Sequence, residues 1–378
     1  MAKRSRKKRA RNPAASFPDD LIVEILSRLP VRSLCRFKCV SRHWRDLISH
    51  PDHRGKLPET LFGVFYFTFD RTRFPEQARH FTDVWDSRLR RLICPSLSFV
   101  PGYERITRVL DSCNGLLLCV LSSSDKSFRY MVCNPATQSW VVLPDSGCGS
   151  DLDFRITRLG FDPAVSLHFY VFEFISDESC GYVEGVQIYS CKTGAWSYKE
   201  SEWDYDAGLN QDSRSIFFSG SLHLVIAECA ILAVDVEGET WRVLPVPEDV
   251  DDTLEWEEGF LGQYQGHLCY INECDYESDL SIWVLEDYTT DQWILKHHVS
   301  IQKLCEKRLR PYGIESYHVI TVHPDCNLIL YSAGAENTLM AYDIDRKEAY
   351  AIRKLGRKCW LPCIPYIPLY SESLTHGH

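Results

Sequence analysis

Methionine and long apolar runs are the first things this sequence lacks. Met occurs three times in 378 residues, whereas Phe, Trp and Tyr together make up 12%. That balance sets aside a core filled by flexible thioethers and favours sheet surfaces, which take aromatics readily. No stretch reaches the ~18 clean apolar residues of a membrane-spanning helix. The longest approach, Leu222 to Val236, is interrupted by His223, Glu228 and Asp235. The basic start runs into Asn12-Pro13-Ala14-Ala15-Ser16 and not into an apolar segment, so no secretory signal is expected. The expected location is the nucleus and/or the cytoplasm, with no membrane partner. In that setting the 16 cysteines do not imply a disulfide framework, and most are expected to be small core residues.

Catalytic signatures are missing as well. There is no GxxxxGK[ST] phosphate loop, and Gly147-Cys148-Gly149 lacks the third glycine of a dinucleotide fingerprint. Neither GxSxG nor HExxH occurs. The close cysteine pairs Cys35/Cys39, Cys269/Cys274 and Cys359/Cys363 are not CxxC, so a zinc site would need distant ligands. His297 and His298 fall on alternate faces of a strand. No catalytic residue, metal or cofactor is expected.

What is present is unevenly placed. The net charge is −10, yet residues 3–11, KRSRKKRAR, hold seven basic side chains and no acid. The rest has 35 basic against 52 acidic side chains, a net −17. An acidic body argues against nucleic-acid binding, which wants a basic face. Residues 1–15 are expected to be a disordered basic tail, a nuclear-import signal or a solvated terminus in preference to a nucleic-acid-binding tail.

Residues 17–50 follow the helical period. Leu21, Ile22, Ile25, Leu26 and Leu29 form one stripe. Pro18 suits a first turn, Asp19 and Asp20 suit the positive end of the dipole, and Pro30 stops the helix. A short second helix is expected around Leu34 and Phe37, and Ser41 caps a third carrying Trp44, Leu47 and Ile48. A unit of roughly 35 residues is too small to be stable alone and needs the following domain or a partner.

Beyond residue 60 short β runs alternate with turn residues, and IQKLCEKRLR (301–310) is the one candidate short helix. A strand, a polar turn and a Trp recur at Trp140, Trp196, Trp241 and Trp293, with Tyr350 as a weaker fifth copy, at intervals of 56, 45, 52 and 57 residues. Gly115, Gly220 and Gly266 precede three of these marks by 25, 21 and 27 residues. Repeats of this length predict propeller blades, each one four-stranded sheet, about six in all, in preference to an irregular sandwich. The glycines are expected where backbones approach closely near the ring's inside. The Trp is expected on an outer strand, covering the next sheet. Residues 62–100, with Trp85, and 361–370 are the least regular, and are expected to close the ring together.

Two acidic-aromatic stretches stand out, EDVDDTLEWEE (248–258) and ESEWDYDAG (200–208). They read as solvated loops or as a rim in which Trp203, Tyr205 and Trp256 grip a basic partner segment.

FPDDLIVEILSRLPVRSLCRFKCVSRHWRDLIS resembles an F-box through Pro18, Asp20-Leu21, Glu24-Ile25-Leu26, Leu29-Pro30, Ser33-Leu34, Val40-Ser41, Trp44 and Leu47-Ile48. DSCNGLLLC (111–119), CNPATQSWVVLP (133–144) and RLGFDPAVSLHFYVFEF (158–174) resemble the F-box-associated region of large plant F-box families. The resemblance implies an α+β multidomain chain, a small all-α three-helix F-box (16–57) followed by a large all-β propeller-like domain (60–370) and a disordered tail (371–378). It implies a non-catalytic substrate receptor of a Skp–cullin–F-box ubiquitin ligase. The F-box would dock on a Skp-family adaptor, and through it a cullin, by Pro18, Leu21, Ile25, Leu29, Pro30, Leu34, Val40 and Trp44. The β domain would bind a target protein. A scaffold outside any ligase and a propeller enzyme acting on a small molecule remain as alternatives.

Overall fold

A computed structural model describes residues 17–29, 33–34, 37, 40–49, 53, 63–70, 72, 77–84, 93–122, 127–147, 155–176, 183–201, 209, 214–226, 230–247, 259–272, 280–300, 317–323, 327–369 and 374. The structure below is that of these residues.

Helix α1 spans Asp19–Ser27 and α2 spans Arg42–Ser49. Pro18 caps α1 in an extended conformation, and its carbonyl accepts the N–H of Leu21 and Ile22 at 3.0 and 3.2 Å. Asp19 and Asp20 occupy the first turn, as the dipole favours. Ser41 Oγ accepts the Trp44 N–H at 3.2 Å and starts α2. Between them Ser33, Leu34 and Phe37 are helical, but their neighbours lie outside the described residues. The structure therefore describes two helices, and the expected three-helix count is not established. Ile22, Val23, Leu26, Leu34, Leu47 and Ile48 form one small core.

The β region is a ring of six sheets. Strands β1 (Gly63–Phe69) and β2 (Gln77–Asp83) come first. Five four-stranded blades follow as up-and-down meanders. The first holds β3 (Ile106–Cys113), β4 (Leu116–Ser122), β5 (Phe128–Asn134) and β6 (Ser139–Val142). The second holds β7 (Ile156–Gly160), β8 (Tyr170–Ser176), β9 (Val183–Ser190) and β10 (Ala195–Glu200). The third holds β11 (Ser215–Phe218), β12 (Ser221–Ile226), β13 (Ala230–Asp235) and β14 (Trp241–Pro245). The fourth holds β15 (Phe260–Tyr264), β16 (His267–Asn272), β17 (Leu280–Asp287) and β18 (Gln292–Val299). The fifth holds β19 (Tyr317–Val322), β20 (Leu328–Ala333), β21 (Thr338–Asp343) and β22 (Glu348–Lys354). The last strand, β23 (Cys359–Tyr366), pairs with β1 and completes a sixth sheet in the order β2-β1-β23. The two irregular ends of the domain thus close the ring together, as expected, although Trp85 lies outside the described residues. So does the candidate helix 301–310.

Closure is visible in the innermost strands. β3, β7, β11, β15, β19 and β23 each neighbour the next, and β23 returns to β3. Period-two alternation lets every blade bury both faces. In β12, Leu222, Leu224 and Ile226 face the second blade while Val225 faces the fourth. Six apolar clusters result, one for each seam between blades.

The repeat marks are placed with two corrections. Trp140, Trp196, Trp241 and Trp293 are all on fourth strands, at the second pair of the hairpin for Trp140, Trp196 and Trp293 and next to the Asp235 N–H to Thr240 carbonyl bond for Trp241. They cover the preceding blade, not the next. The Trp196 indole N–H donates to the Pro144 carbonyl at 2.8 Å, and that of Trp293 to Pro245 at 2.9 Å. In the fifth blade that register position is Ala349, opposite Tyr342, while Tyr350 is exposed. Gly115, Gly220 and Gly266 occupy two-residue turns between the first and second strands, with Asn114, Ser219 and Gln265 before them. Both turn residues have positive φ, as a type I′ hairpin requires. Turn geometry is therefore the common reason for glycine. Gly115 alone of the three also lies close to other backbone, since a Cβ there would come within 2.7 Å of the Leu369 nitrogen.

Candidate functional site

Within the helical unit the apolar stripe of α1 divides into two faces. Ile22, Val23 and Leu26 turn inward, whereas Leu21 and Ile25 are each 52% exposed. Val40, just before α2, is 60% exposed, and Pro18 and Phe17 are exposed at the start of α1. A unit this small has one core, and apolar side chains left out of it make a surface that water does not favour.

The eight expected adaptor-contact residues therefore fall into different places. Pro18, Leu21, Ile25 and Val40 are on the surface. Leu34 is fully buried in the unit's core, and Leu29 and Trp44 are partly buried against that core. Trp44 packs on Phe37 with ring centroids 5.2 Å apart. Pro30 lies outside the described residues. Phe17 is the surface residue that sequence reasoning misses, although it directly precedes the helix-starting Pro18.

Among the described residues, polar contacts tie α2 both to α1 and to the ring. His43 Nε2 lies 3.0 Å from Asp19 Oδ1 and ties α2 to α1. Arg45 Nη1 donates to Asp162 Oδ1 at 3.3 Å, joining α2 to the loop that follows β7. Asp162 also accepts the Ala164 N–H at 2.9 Å, so the same carboxylate shapes the loop and receives the helix. Val165 and Leu167 in this loop are exposed.

Asp162 follows the end of an innermost strand, so the helical unit meets the ring on the face where those strands finish. The C-terminal segment runs on the same face. Asn134 Nδ2 donates to the Leu369 carbonyl at 2.8 Å. Leu374, in the segment expected to be a tail, is buried in the seam between the first and second blades. The opposite face is entered by the connections from β10 to β11 and from β14 to β15, whose described ends are Ser201 with Arg214 and Pro247 with Gly259. Trp203, Tyr205 and Trp256 belong to those connections and lie outside the described residues.

Several buried polar groups in the ring are paired, most of them across seams. Glu173 is fully buried, accepts from the Tyr130 hydroxyl at 2.7 Å and pairs with Arg155 Nη1 at 2.6 Å. Tyr130 and Thr157 hydroxyls lie 2.9 Å apart in the same seam. His223 is fully buried beside the Tyr288 hydroxyl, at 2.7 Å, and burial brings its pKa down to about 4. Arg242 lies over the Tyr288 ring at 4.8 Å and pairs with Asp291. Burial raises Asp111 to about 6, opposed by Arg158 and by the N–H groups of Leu159 and Ser112. Tyr130 with Glu173, His223 with Tyr288, Arg242 with Asp291, and Asp111 with the Leu159 N–H each connect neighbouring blades. Among the described residues no group of three or more His, Cys, Asp or Glu gathers as a metal ion would require.

Comparison with known proteins agrees with this two-part architecture. An F-box domain profile matches residues 15–54, and a profile described as an F-box associated beta propeller domain matches residues 87–356. The F-box protein At5g07610 of Arabidopsis thaliana is 27% identical over 309 residues, covering 76% of this chain and 71% of the relative. The F-box protein At5g49610 of the same plant is 29% identical over 330 residues, covering 79% of this chain and 82% of the relative. With the helical unit, the closed six-blade ring and these matches together, the chain belongs to the F-box proteins that carry an F-box-associated β-propeller domain.

Proposed function

We propose that this protein is the substrate-recognition subunit of a Skp–cullin–F-box ubiquitin ligase. The observation that carries the reading is the half-exposed apolar face of Leu21, Ile25 and Val40 on a unit whose core is already complete without them. Burying a large aliphatic side chain contributes about 1.5–3 kcal/mol, so covering three half-exposed ones contributes about 2–4 kcal/mol to docking. The adaptor contacts are assigned to Phe17, Pro18, Leu21, Ile25 and Val40. Leu29, Leu34 and Trp44 support this face from within.

The propeller is the receptor for a target protein, engaged through the face opposite the F-box, where the segments bearing Trp203, Tyr205 and Trp256 enter. An acidic-aromatic rim suits a basic target segment. The chain itself breaks no bonds. It holds the target's lysines near a ubiquitin-loaded enzyme brought in by the cullin, and accelerates transfer by effective concentration. The basic residues at 3–11 serve nuclear import in this reading.

Co-purification tests it. The full chain is expected to capture a Skp-family adaptor together with a cullin. Capture of the adaptor without a cullin would convert the protein into a scaffold outside the ligase, and capture of neither would overturn the reading.

A further inference from the structure

The strand that closes the ring carries two free thiols, Cys359 and Cys363. In the β1–β23 ladder Thr68 lies opposite Cys359, Phe67 opposite Trp360, and Phe65 opposite Ile364. Four steps of β23 are set against two of β1, which is a bulge two residues deep. Pro362 lies within it and has no N–H to give the ladder. A regular strand would hold Cys359 and Cys363 about 13 Å apart, four steps of ~3.3 Å. That is far beyond the ~7 Å between Cα atoms that a disulfide spans. The bulge removes two of those steps, and the two thiols are hydrogen-bonded to one another. Both sit in the seam between the fifth and sixth blades.

We propose that Cys359 and Cys363 form a reversible disulfide, a redox-modifiable clasp on the ring-closing strand, with hydrogen peroxide as the oxidant. In the first step the Cys359 thiolate attacks one peroxide oxygen and the O–O bond breaks. The sulfur is oxidised to a sulfenic acid, and the departing hydroxide takes up the thiol's proton as water. In the second step the Cys363 sulfur releases its proton and attacks the Cys359 sulfur. The S–S bond forms, the S–O bond breaks, and hydroxide leaves with that proton as a second water. Two thiols and one peroxide become one disulfide and two waters. Cys359 attacks because it is the more exposed, at 8% against 1%. The hydrogen bond from Cys363 also lowers its pKa, while that contact and burial raise Cys363.

A second pair supplies the contrast. Cys119 and Cys133 lie on neighbouring strands, with Cys119 opposite Met131 and Cys133 opposite Leu117, and their thiols are also hydrogen-bonded. Both are completely buried. A peroxide has no approach to them, so proximity without access leaves them reduced.

Peptide mapping of the full chain decides the matter. Cleavage after Lys358 leaves Cys359 and Cys363 in one peptide. A peroxide dose that oxidises the half-buried Cys94 is expected to remove two hydrogens from that peptide, and dithiothreitol to restore them. Cys119 and Cys133 are expected to stay alkylatable after denaturation. In Cys363→Ser, Cys359 is expected to stop at a sulfenic acid that dimedone traps. Two intact thiols at that dose, or oxidation to a sulfinic acid without loss of the two hydrogens, would overturn the proposal. So would earlier oxidation of Cys119 and Cys133. The wild-type map gives the answer even if the variant does not fold, and it does not depend on adaptor binding.

Discussion

Every blade of the ring covers both of its faces, whereas the helical unit covers one and leaves the other in water. The contrast is sharpest between β12 and α1. In β12 the residues that face away from the second blade meet the fourth, so Leu222, Leu224, Val225 and Ile226 are all buried. In α1 the inward Ile22, Val23 and Leu26 are buried while Leu21 and Ile25 are not. Both elements are comparably apolar. A closed ring supplies a neighbour on every side, and a unit of two described helices cannot. Apolar surface left over in the smaller unit is where a partner gains most.

That difference can be broken from either side. On the ring side, Glu173→Ala leaves Arg155 and the Tyr130 hydroxyl without their buried acceptor. Removing one partner of a buried ion pair costs about 3–5 kcal/mol. Chemical denaturation is expected to show a loss of that size with adaptor binding unchanged, and a loss below ~1 kcal/mol would mean the seam is not sealed by this pair.

The next effect is one of pH. His223 is held neutral, near 4 against an ordinary 6.5. Its folded pKa lies below its unfolded one, so it costs nothing above pH 6.5 and destabilises the fold progressively as pH falls toward 4. The full shift corresponds to about 3 kcal/mol. Asp111 runs the other way. Its folded pKa of about 6 lies above the ordinary 3.8, so the stability it contributes is present below pH 3.8 and lost as pH rises through 6. His223→Gln is expected to flatten the acid loss in a stability-against-pH series, and Asp111→Asn to steepen it. Unchanged slopes in both would remove these groups from the account.

The smallest effect belongs to the contact between the two regions. The Arg45–Asp162 pair is partly exposed, and such pairs contribute about 0.2–1 kcal/mol. Arg45→Ala is expected to leave the melting midpoint nearly unchanged while broadening the particle's maximum dimension in solution scattering. A narrow, unchanged distribution would show that other contacts fix the F-box on the ring.

The sequence carries the period of the ring well, because Trp140, Trp196, Trp241 and Trp293 mark equivalent hairpin positions. It does not carry their direction. Spacing has no handedness, so which blade a Trp covers comes only from the strand order. Tyr350 imitates the fifth mark because an aromatic sits one residue beyond the true position, Ala349. The closing sheet is legible from its irregularity at both ends. The functional face is only half legible. An apolar stripe at helical spacing looks the same whether it meets a core or a partner, and so Leu34 and Trp44 group with Leu21 and Ile25 in the sequence. Exposure separates them. Trp203, Tyr205 and Trp256 fall in connections beyond the described residues, and the proposed rim is argued from their acidic-aromatic composition.

The most direct measurement is a calorimetric titration of a purified Skp-family adaptor into the full chain, the Leu21→Asp/Ile25→Asp variant and the Val165→Asp/Leu167→Asp variant. Placing two charges in a docked apolar face is expected to weaken binding by about 100-fold or more in the first variant, with its melting midpoint held within a few degrees. The second variant, altered on exposed apolar residues of the ring, is expected to bind as wild type. Equal affinity for all three proteins would contradict the assignment of the adaptor to the open face of α1.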